Sequence, residues 1–262
     1  MIRYDVRESV AHVTIDKPER LNALGAKDMD DLLHCWSRMQ EDSNVRVGII
    51  SGVGGKAFSA GGDVKDEDTF QLDAGVGAQF WTDPRHSWNS TLEDDFPLWK
   101  PVIAAIDGYC LGGGLTLALG ADIRICTEQS RFGMPEVGIG INTVTGAALL
   151  PRFMNPSLAA QLLLTGESIP ARDALTAGLI SYVYPDRAAL DRAAQDIADA
   201  IAKNAPLAVR ATKEVMRRGR ELPLATVLPL GEAMRGLVRA SRDYQEGITA
   251  ARERRTPEYI GR

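Results

Sequence analysis

Residues 101–120 read PVIAAIDGYCLGGGLTLALG, and this stretch decides how the surrounding chain folds. Its first part, Pro101–Ile106, is typical of a buried strand. Proline is at the first position, where the strand needs no main-chain N–H to donate to a neighbouring strand. The glycines that follow, Gly108 and Gly112–Gly114, predict a tight corner between strand and helix. The apolar stretch Leu115–Leu119 then predicts a buried helix that opens directly from this corner.

A second glycine-rich corner follows another predicted strand, VRVGIIS at residues 45–51. It reads GVGGKAFSAGGDV at residues 52–64, and neither corner has the spacing of a nucleotide-binding loop. Backbone N–H groups exposed at such corners carry partial positive charge, so two corners that face each other would place two donors on one oxygen. That arrangement is an oxyanion hole. The alternative is that the glycines only permit tight turns and close packing.

Strands alternate with helices along most of the chain, which predicts an α/β class built from repeated strand–helix units. A strand pair within 2–15 and an amphipathic helix over about 25–40 precede the first glycines. The helical composition near residue 200 predicts a core over 1–200 and a C-terminal helical subdomain over 201–262. The polar segment 66–95 is predicted to be an irregular lid over a site. Its candidate pocket residues are Phe80, Trp81, His86 and Trp88.

Composition narrows the class of protein. The 262 residues are 45% hydrophobic and 25% charged, as in an ordinary soluble globular protein. A net charge of −5 argues against nucleic acid as the main partner. Three widely spaced cysteines predict free thiols in a reducing cytoplasm, and no metal-ligand spacing is present. With no signal peptide and no apolar run of membrane-spanning length, we expect a cytoplasmic protein that does not enter a membrane.

Several stretches together resemble the crotonase, or enoyl-CoA hydratase/isomerase, superfamily along essentially the whole chain. They are residues 22–24, 56–65, 101–114, 121–124, 132–138 and the tail 247–255. The resemblance implies a spiral of β-β-α units whose C-terminal helical region mediates trimerisation, in a homotrimer or a dimer of trimers. It also implies an acyl-CoA substrate and no cofactor beyond the coenzyme A moiety of that substrate.

The resemblance also assigns site residues by motif position. The oxyanion donors would be the backbone N–H groups of Gly62 and Gly113. The pantetheine and adenine of coenzyme A would lie along residues 23–24 and 60–65, with Lys65 as a phosphate contact. The cluster Arg252, Arg254 and Arg255 would supply another phosphate contact, to a neighbouring subunit, or else be a solvated helix end. The coenzyme A set is Ala23, Leu24, Ala60, Gly62, Asp63, Val64, Lys65 and Gly113.

The reaction depends on two positions where the family's hydratases carry glutamates. In this sequence the first position is Thr116 and the second is Glu136. A threonine hydroxyl hardly ionises near neutral pH, so Glu136 alone would transfer protons. The resemblance therefore favours isomerisation of a 3-enoyl-CoA to a 2-enoyl-CoA, in which one glutamate moves a proton from the α carbon to the γ carbon.

Three other functions stay open. Hydration could proceed with Glu136 and a water ordered by Thr116. A hydrolase, decarboxylase or C–C lyase of the same superfamily would share the oxyanion hole. The third is a non-catalytic or RNA-binding member, for which the only sequence support is the basic run KEVMRRGR at 213–220, typical of a solvated helix face. Dienoyl isomerisation is disfavoured because Val144 stands where that subgroup carries an aspartate.

Overall fold

The computed structural model describes residues 1–66 and 98–262, and within them ten strands form two sheets. The strands are β1 (Ile2–Arg7), β2 (Val10–Ile15), β3 (Val47–Gly52), β4 (Ala57–Ser59), β5 (Val102–Ile106), β6 (Tyr109–Leu111), β7 (Ile123–Thr127), β8 (Arg131–Gly133), β9 (Ser168–Pro170) and β10 (Tyr182–Tyr184). The helices are α1 (Ala26–Glu41), α2 (Gly113–Gly120), α3 (Thr145–Phe153), α4 (Pro156–Thr165), α5 (Ala171–Thr176), α6 (Arg187–Ala202), α7 (Pro206–Gly219), α8 (Leu224–Arg239) and α9 (Arg242–Glu253).

The larger sheet has the order β1-β2-β3-β5-β7-β10 and is parallel except for the β1–β2 hairpin. The smaller sheet has the order β4-β6-β8-β9, with its first three strands parallel. Each central strand of the larger sheet continues into a strand of the smaller one: β3 into β4, β5 into β6, and β7 into β8. The β-β-α spiral that the sequence implies is therefore confirmed.

The central strands are apolar throughout because both faces of the larger sheet are buried. On β5, Val102, Ala104 and Ile106 belong to the core between the sheets, which α1 also covers. The alternate residues, Ile103 and Ala105, face the opposite side, where α6 packs on them. A strand with one wet face would alternate apolar and polar residues, so the continuous run PVIAAI follows from this double burial.

The C-terminal part is helical, as its composition predicts, and α7, α8 and α9 fill it. One detail of the prediction was wrong: β3 begins at Val47, two residues after the predicted start. Helix α8 begins at Leu224 and contains Pro229. The division of the chain at residue 200 stays a prediction.

Among the described residues, no helix has the length and apolarity to cross a membrane. Apart from Asp66, the predicted lid, with its aromatic residues and His86, lies outside the described residues.

Candidate active site

The pairing of β4 with β6 brings the two glycine corners together. The strands are parallel, with Ala57 opposite Tyr109 and Ser59 opposite Cys110, so their carboxyl ends leave the small sheet side by side. Gly61 follows β4 in the left-handed region, at φ 93°. A β-carbon built there would lie 2.9 Å from the Leu111 carbonyl oxygen and 3.1 Å from the Gly113 nitrogen. Only glycine fits this contact, so the close approach of the two main chains depends on it.

Gly62 directs its N–H group away from the segment that precedes α1. A parallel bridge joins Leu24 and Gly62, in which Leu24 N–H donates to Gly61 O at 2.8 Å and Asp63 N–H donates to Leu24 O at 2.9 Å. In such a bridge the central residue of the partner, here Gly62, turns its own N–H and C=O to the opposite side. Gly113 lies close to this nitrogen, since a β-carbon built on Gly113 would be 3.7 Å from it.

Gly113 is the first residue of α2, so its N–H has no acceptor within the helix. The first intrahelical bond runs from Thr116 N–H to Gly112 O, at 3.0 Å. Gly112 itself has φ 50° and donates its N–H to Gly133 O of β8 at 2.9 Å. This bond ties the corner between β6 and α2 to β8, and the Gly113 N–H lies at the positive end of the helix dipole.

Glu136 reaches the same place from β8. It lies in a short 3₁₀ turn, Pro135–Ile139, that follows this strand. Its Oε1 atom lies 3.0 Å from the position of a β-carbon built on Gly112, so the carboxylate contacts the corner that precedes Gly113. Its Oε2 atom is buried and has no hydrogen-bond partner in the described part of the chain. Burial raises the pKa of Glu136 above its ordinary value, against the hydrogen bond from its own backbone. A buried carboxylate with a raised pKa next to such a corner is suited to proton transfer.

Thr116 lies on the face of α2 that carries Gly113, three residues further along the helix. Its side chain is buried, with 9% of its surface exposed. The structure therefore brings together four residues that the sequence singles out: Gly62, Gly113, Glu136 and Thr116. Among the described residues, the Glu136 carboxylate is the one that contacts the corner next to Gly113, while the Asp63 carboxylate at the other corner is held in ion pairs.

The chain is similar to known proteins along its whole length. A family model described as "Enoyl-CoA hydratase/isomerase" matches residues 5–262. The chain belongs to the enoyl-CoA hydratase/isomerase family. It is thus an enzyme of the acyl-CoA-processing crotonase superfamily, as the sequence motifs imply.

Curated relatives of the family match along nearly their whole length. An (E)-benzylidenesuccinyl-CoA hydratase of Thauera aromatica is 35% identical, with 99% of each chain covered. A carnitinyl-CoA dehydratase of Proteus mirabilis is 36% identical and a 2,3-dehydroadipyl-CoA hydratase of Escherichia coli is 34% identical; each match covers 98% of this chain and 97% of the relative. Among solved structures, an enoyl-CoA hydratase from Bacillus anthracis has a TM-score of 0.90 at 33% identity, covering 100% of this chain and 99% of that one.

In this member of the family, an ion cluster holds the corner that carries Gly62. The Asp63 carboxylate is 5% exposed and is paired with Lys17 Nζ at 3.2 Å and with Arg20 at 2.5 Å. Lys17 Nζ also contacts Asp28 Oδ2 at 3.1 Å. Asp63 Oδ1 accepts a hydrogen bond from the Lys65 N–H at 3.1 Å. Asp63 is thus engaged in positioning the corner.

Sequence reasoning missed Lys17, Arg20 and Asp28, which come from elements far along the chain from Asp63. The signal that could have found them is the neighbouring Asn22, which opens one of the family stretches. Its side chain donates to Val53 O at 2.9 Å and Ala57 O at 2.7 Å, and so ties this loop to the second corner.

The other predicted coenzyme A contacts line the same edge. Ala23 and Leu24 are buried, Ala60 is half-buried, and Val64 and Lys65 are exposed beside Asp63. Their contact with coenzyme A stays a prediction.

The C-terminal arginines differ in their surroundings. Arg255 pairs with Glu246 at 2.6 Å and with Glu253 at 2.7 Å, within its own chain. Arg252 and Arg254 are exposed at the end of α9. For Arg255, the expected contact with a phosphate would therefore compete with these two ion pairs.

Replacing Asp63 with asparagine is expected to destabilise the fold by about 1–3 kcal/mol at pH 7, because Lys17 and Arg20 would lose a buried partner. Burial alone would raise the pKa of Asp63, but hydrogen bonds from Arg20, the Lys65 N–H and Lys17 lower it. A lowered pKa means that the stabilisation is present above the unfolded value of about 3.9 and is lost as the pH falls through the folded value.

Denaturant unfolding at pH 7 and near pH 3 measures this effect. The gap between wild type and Asp63→Asn should be large at pH 7 and should shrink at the acidic pH. Asp31→Asn is the matched control, since Asp31 pairs with the exposed Lys27 and such a pair contributes little. Equal losses for the two variants would contradict a role of this cluster in holding the corner.

Proposed function

We propose that this enzyme adds water across the C2–C3 double bond of a 2-enoyl-CoA, with Glu136 as its one catalytic carboxylate. The observation that carries the proposal is the position of the Glu136 carboxylate against Gly112, beside the N–H groups of Gly62 and Gly113. The names of the relatives reported above support hydration over the isomerisation that the sequence favours, because each is a hydratase or a dehydratase.

The two N–H groups would hold the thioester carbonyl oxygen. Donation from Gly62 and Gly113 draws electron density from C3 and stabilises the enolate that forms when water attacks there. Each such donor is worth about 3–4 kcal/mol in enzymes that stabilise oxyanions. The donors are main-chain groups fixed by strand pairing and by the start of a helix, so they need no reorganisation during the reaction.

Glu136 would supply the proton transfers. Its carboxylate accepts a proton from the water whose oxygen bonds to C3, and a proton is then delivered to C2 of the enolate. The product gains one hydroxyl group at C3 and one hydrogen at C2, which balances the addition of one water. The buried hydroxyl of Thr116 is on the same face of α2 as Gly113 and would orient this water by a hydrogen bond.

Isomerisation is the second candidate, and the threonine at position 116 favours it. With no carboxylate there to activate water, Glu136 would remove a proton from C2 of a 3-enoyl-CoA and return it to C4. The same pair of N–H groups would hold the dienolate between the two steps.

Incubation with a 2-enoyl-CoA and a 3-enoyl-CoA of the same length, followed by mass spectrometry, separates the two reactions. We expect the 2-enoyl-CoA to gain the mass of one water. Double-bond migration in the 3-enoyl-CoA with no gain of water by either compound would refute hydration and establish the isomerase. The reaction in deuterated water reports proton transfer at C2 in both cases.

A homotrimer or dimer of trimers in the cytoplasm is part of the same proposal. An apolar groove between α7 and α8 supports assembly, since it exposes Met216 and Leu228, which are 50% and 60% exposed. Sedimentation of the purified protein tests it, and a monomer at micromolar concentration would contradict it.

A further inference from the structure

A group of arginines lies at the far end of α2 from Gly113. There, α2, α3 and α7 enclose a cavity of about 80 Å³, whose wall includes Gly120, Leu149 and Phe153. Arg152 and Arg220 line the same cavity, and both side chains are exposed to it or to solvent. Arg124 lies directly behind it. We call Arg124, Arg152 and Arg220 the arginine cluster.

Two members of the arginine cluster share one aromatic ring. The guanidinium carbons of Arg124 and Arg220 each lie 4.7 Å from the centre of the Phe153 ring. Arg124 is buried and donates to two carbonyls, Leu179 O at 2.9 Å and Ala121 O at 2.7 Å. Burial and the charge of Arg220 lower the pKa of Arg124 to about 10. Like charges are thus held close together at this cavity.

The carboxylates nearby are mostly occupied by other cations. Asp122 pairs with Lys213 at 2.8 Å, and Glu214 pairs with Arg217 and Arg218. In residues 1–66 and 98–262, neither Arg152 nor Arg220 has a carboxylate within ion-pair distance. Glu221 lines the cavity as well and is exposed. Among the residues that the structure describes, the three arginines thus outnumber the one acid at this cavity that has no ion pair. The cavity therefore has an excess of positive charge, which an anion would offset.

The cavity is aligned with the proposed catalytic groups. Gly113, Thr116 and Gly120 lie on one face of α2, since they are spaced by three and four residues. A helix rises 1.5 Å per residue, so Gly120 lies about 10 Å from Gly113. An acyl chain whose thioester oxygen is held at Gly113 and which runs along this face would end at the cavity.

We propose that Arg152 and Arg220 bind a carboxylate at the end of the acyl chain remote from the thioester. The substrate would then be the coenzyme A thioester of a medium-length dicarboxylic acid. Arginine suits this role because its planar fork of donors matches a carboxylate. The inference deepens the proposed function and rests on it for the position of the thioester.

The test compares two 2-enoyl-CoA substrates of equal chain length, one ending in a carboxylate and the other in a methyl group. Arg152→Gln and Arg220→Gln should each lower kcat/KM for the first substrate about tenfold or more and leave the second unchanged. Arg152→Gln does not touch the Phe153 stack, so it reports on binding even if Arg220→Gln disturbs the fold. Arg192→Gln, on the exposed face of α6, is the matched control and should change neither value.

Two outcomes would overturn the inference. The first is a wild type without preference for the carboxylate-ended substrate, or equal losses for both substrates. The second is calorimetric binding of inorganic phosphate that depends on Arg220, without any acyl preference, because the cluster would then bind a free anion.

Binding of the two saturated acyl-CoA analogues separates this inference from the proposed function, since it needs no reaction. Tighter binding of the carboxylate-ended analogue, lost in Arg152→Gln, would uphold the arginine site even if no hydration were observed. Hydration of the methyl-ended substrate without that difference would uphold the reaction and refute the site.

Discussion

Glu136→Gln is expected to lower kcat by about a hundred- to ten-thousand-fold, the usual contribution of a general acid–base group, and to change KM little. Glutamine has nearly the same shape as glutamate and fills the same space against Gly112, but it cannot accept a proton. The loss should appear equally in hydration and in exchange of the C2 hydrogen of an acyl-CoA with deuterated water, which mass spectrometry measures.

Glu128→Gln is the matched control, because Glu128 is exposed in the turn between β7 and β8. It should keep full activity, and both variants should unfold at the wild-type denaturant concentration or above it. If Glu136→Gln exchanges the C2 hydrogen as fast as wild type, then another group is the base and the assignment of Glu136 is wrong.

The pH dependence of exchange follows from the same carboxylate. Burial raises the pKa of Glu136, and only its deprotonated form removes a proton from C2. The rate should therefore rise with pH through a midpoint above the ordinary value of 4.5. The exchange rate of Glu136→Gln should show no such rise with pH.

Gly113→Ala is expected to lower kcat/KM by about a hundredfold or more while the fold is retained, comparable to the loss of one oxyanion donor. The added methyl group would lie 3.7 Å from the Gly62 nitrogen, an ordinary contact that needs no main-chain shift. It would, however, crowd the oxygen that both N–H groups are proposed to hold. Because alanine is favoured over glycine within a helix by up to about 1 kcal/mol, stability should not fall.

Gly236→Ala in α8 is the control for this variant, since a β-carbon there meets nothing within 4 Å. Steady-state kinetics and denaturant unfolding of both proteins separate catalysis from folding. Wild-type activity in a folded Gly113→Ala protein would place the thioester oxygen elsewhere. Gly61→Ala is a poorer probe, because Gly61 has φ 93° and its β-carbon would meet the Leu111 carbonyl oxygen at 2.9 Å, so the fold itself would be strained.

Much of the site could be predicted from local sequence. Each signal spans only a few residues: glycines that follow a buried strand, and a glutamate that follows FGMP. The structure places Gly62, Gly113 and Glu136 together as these motifs imply. The bounds of α1 were close to the predicted 25–40, because the apolar spacing of this helix is regular.

The amino-acid sequence by itself determined the family, the order of strands and helices, and the two corners whose N–H groups could donate hydrogen bonds. Only the tertiary structure decided which way those groups point. The Gly62 N–H is turned away from Leu24 by a parallel bridge, and Asp63 is held by Lys17, which is 46 residues away in the chain. The arginine cluster likewise joins β7, α3 and the end of α7. Such relations arise from strand pairing and helix packing between distant segments, which no local pattern of residues specifies.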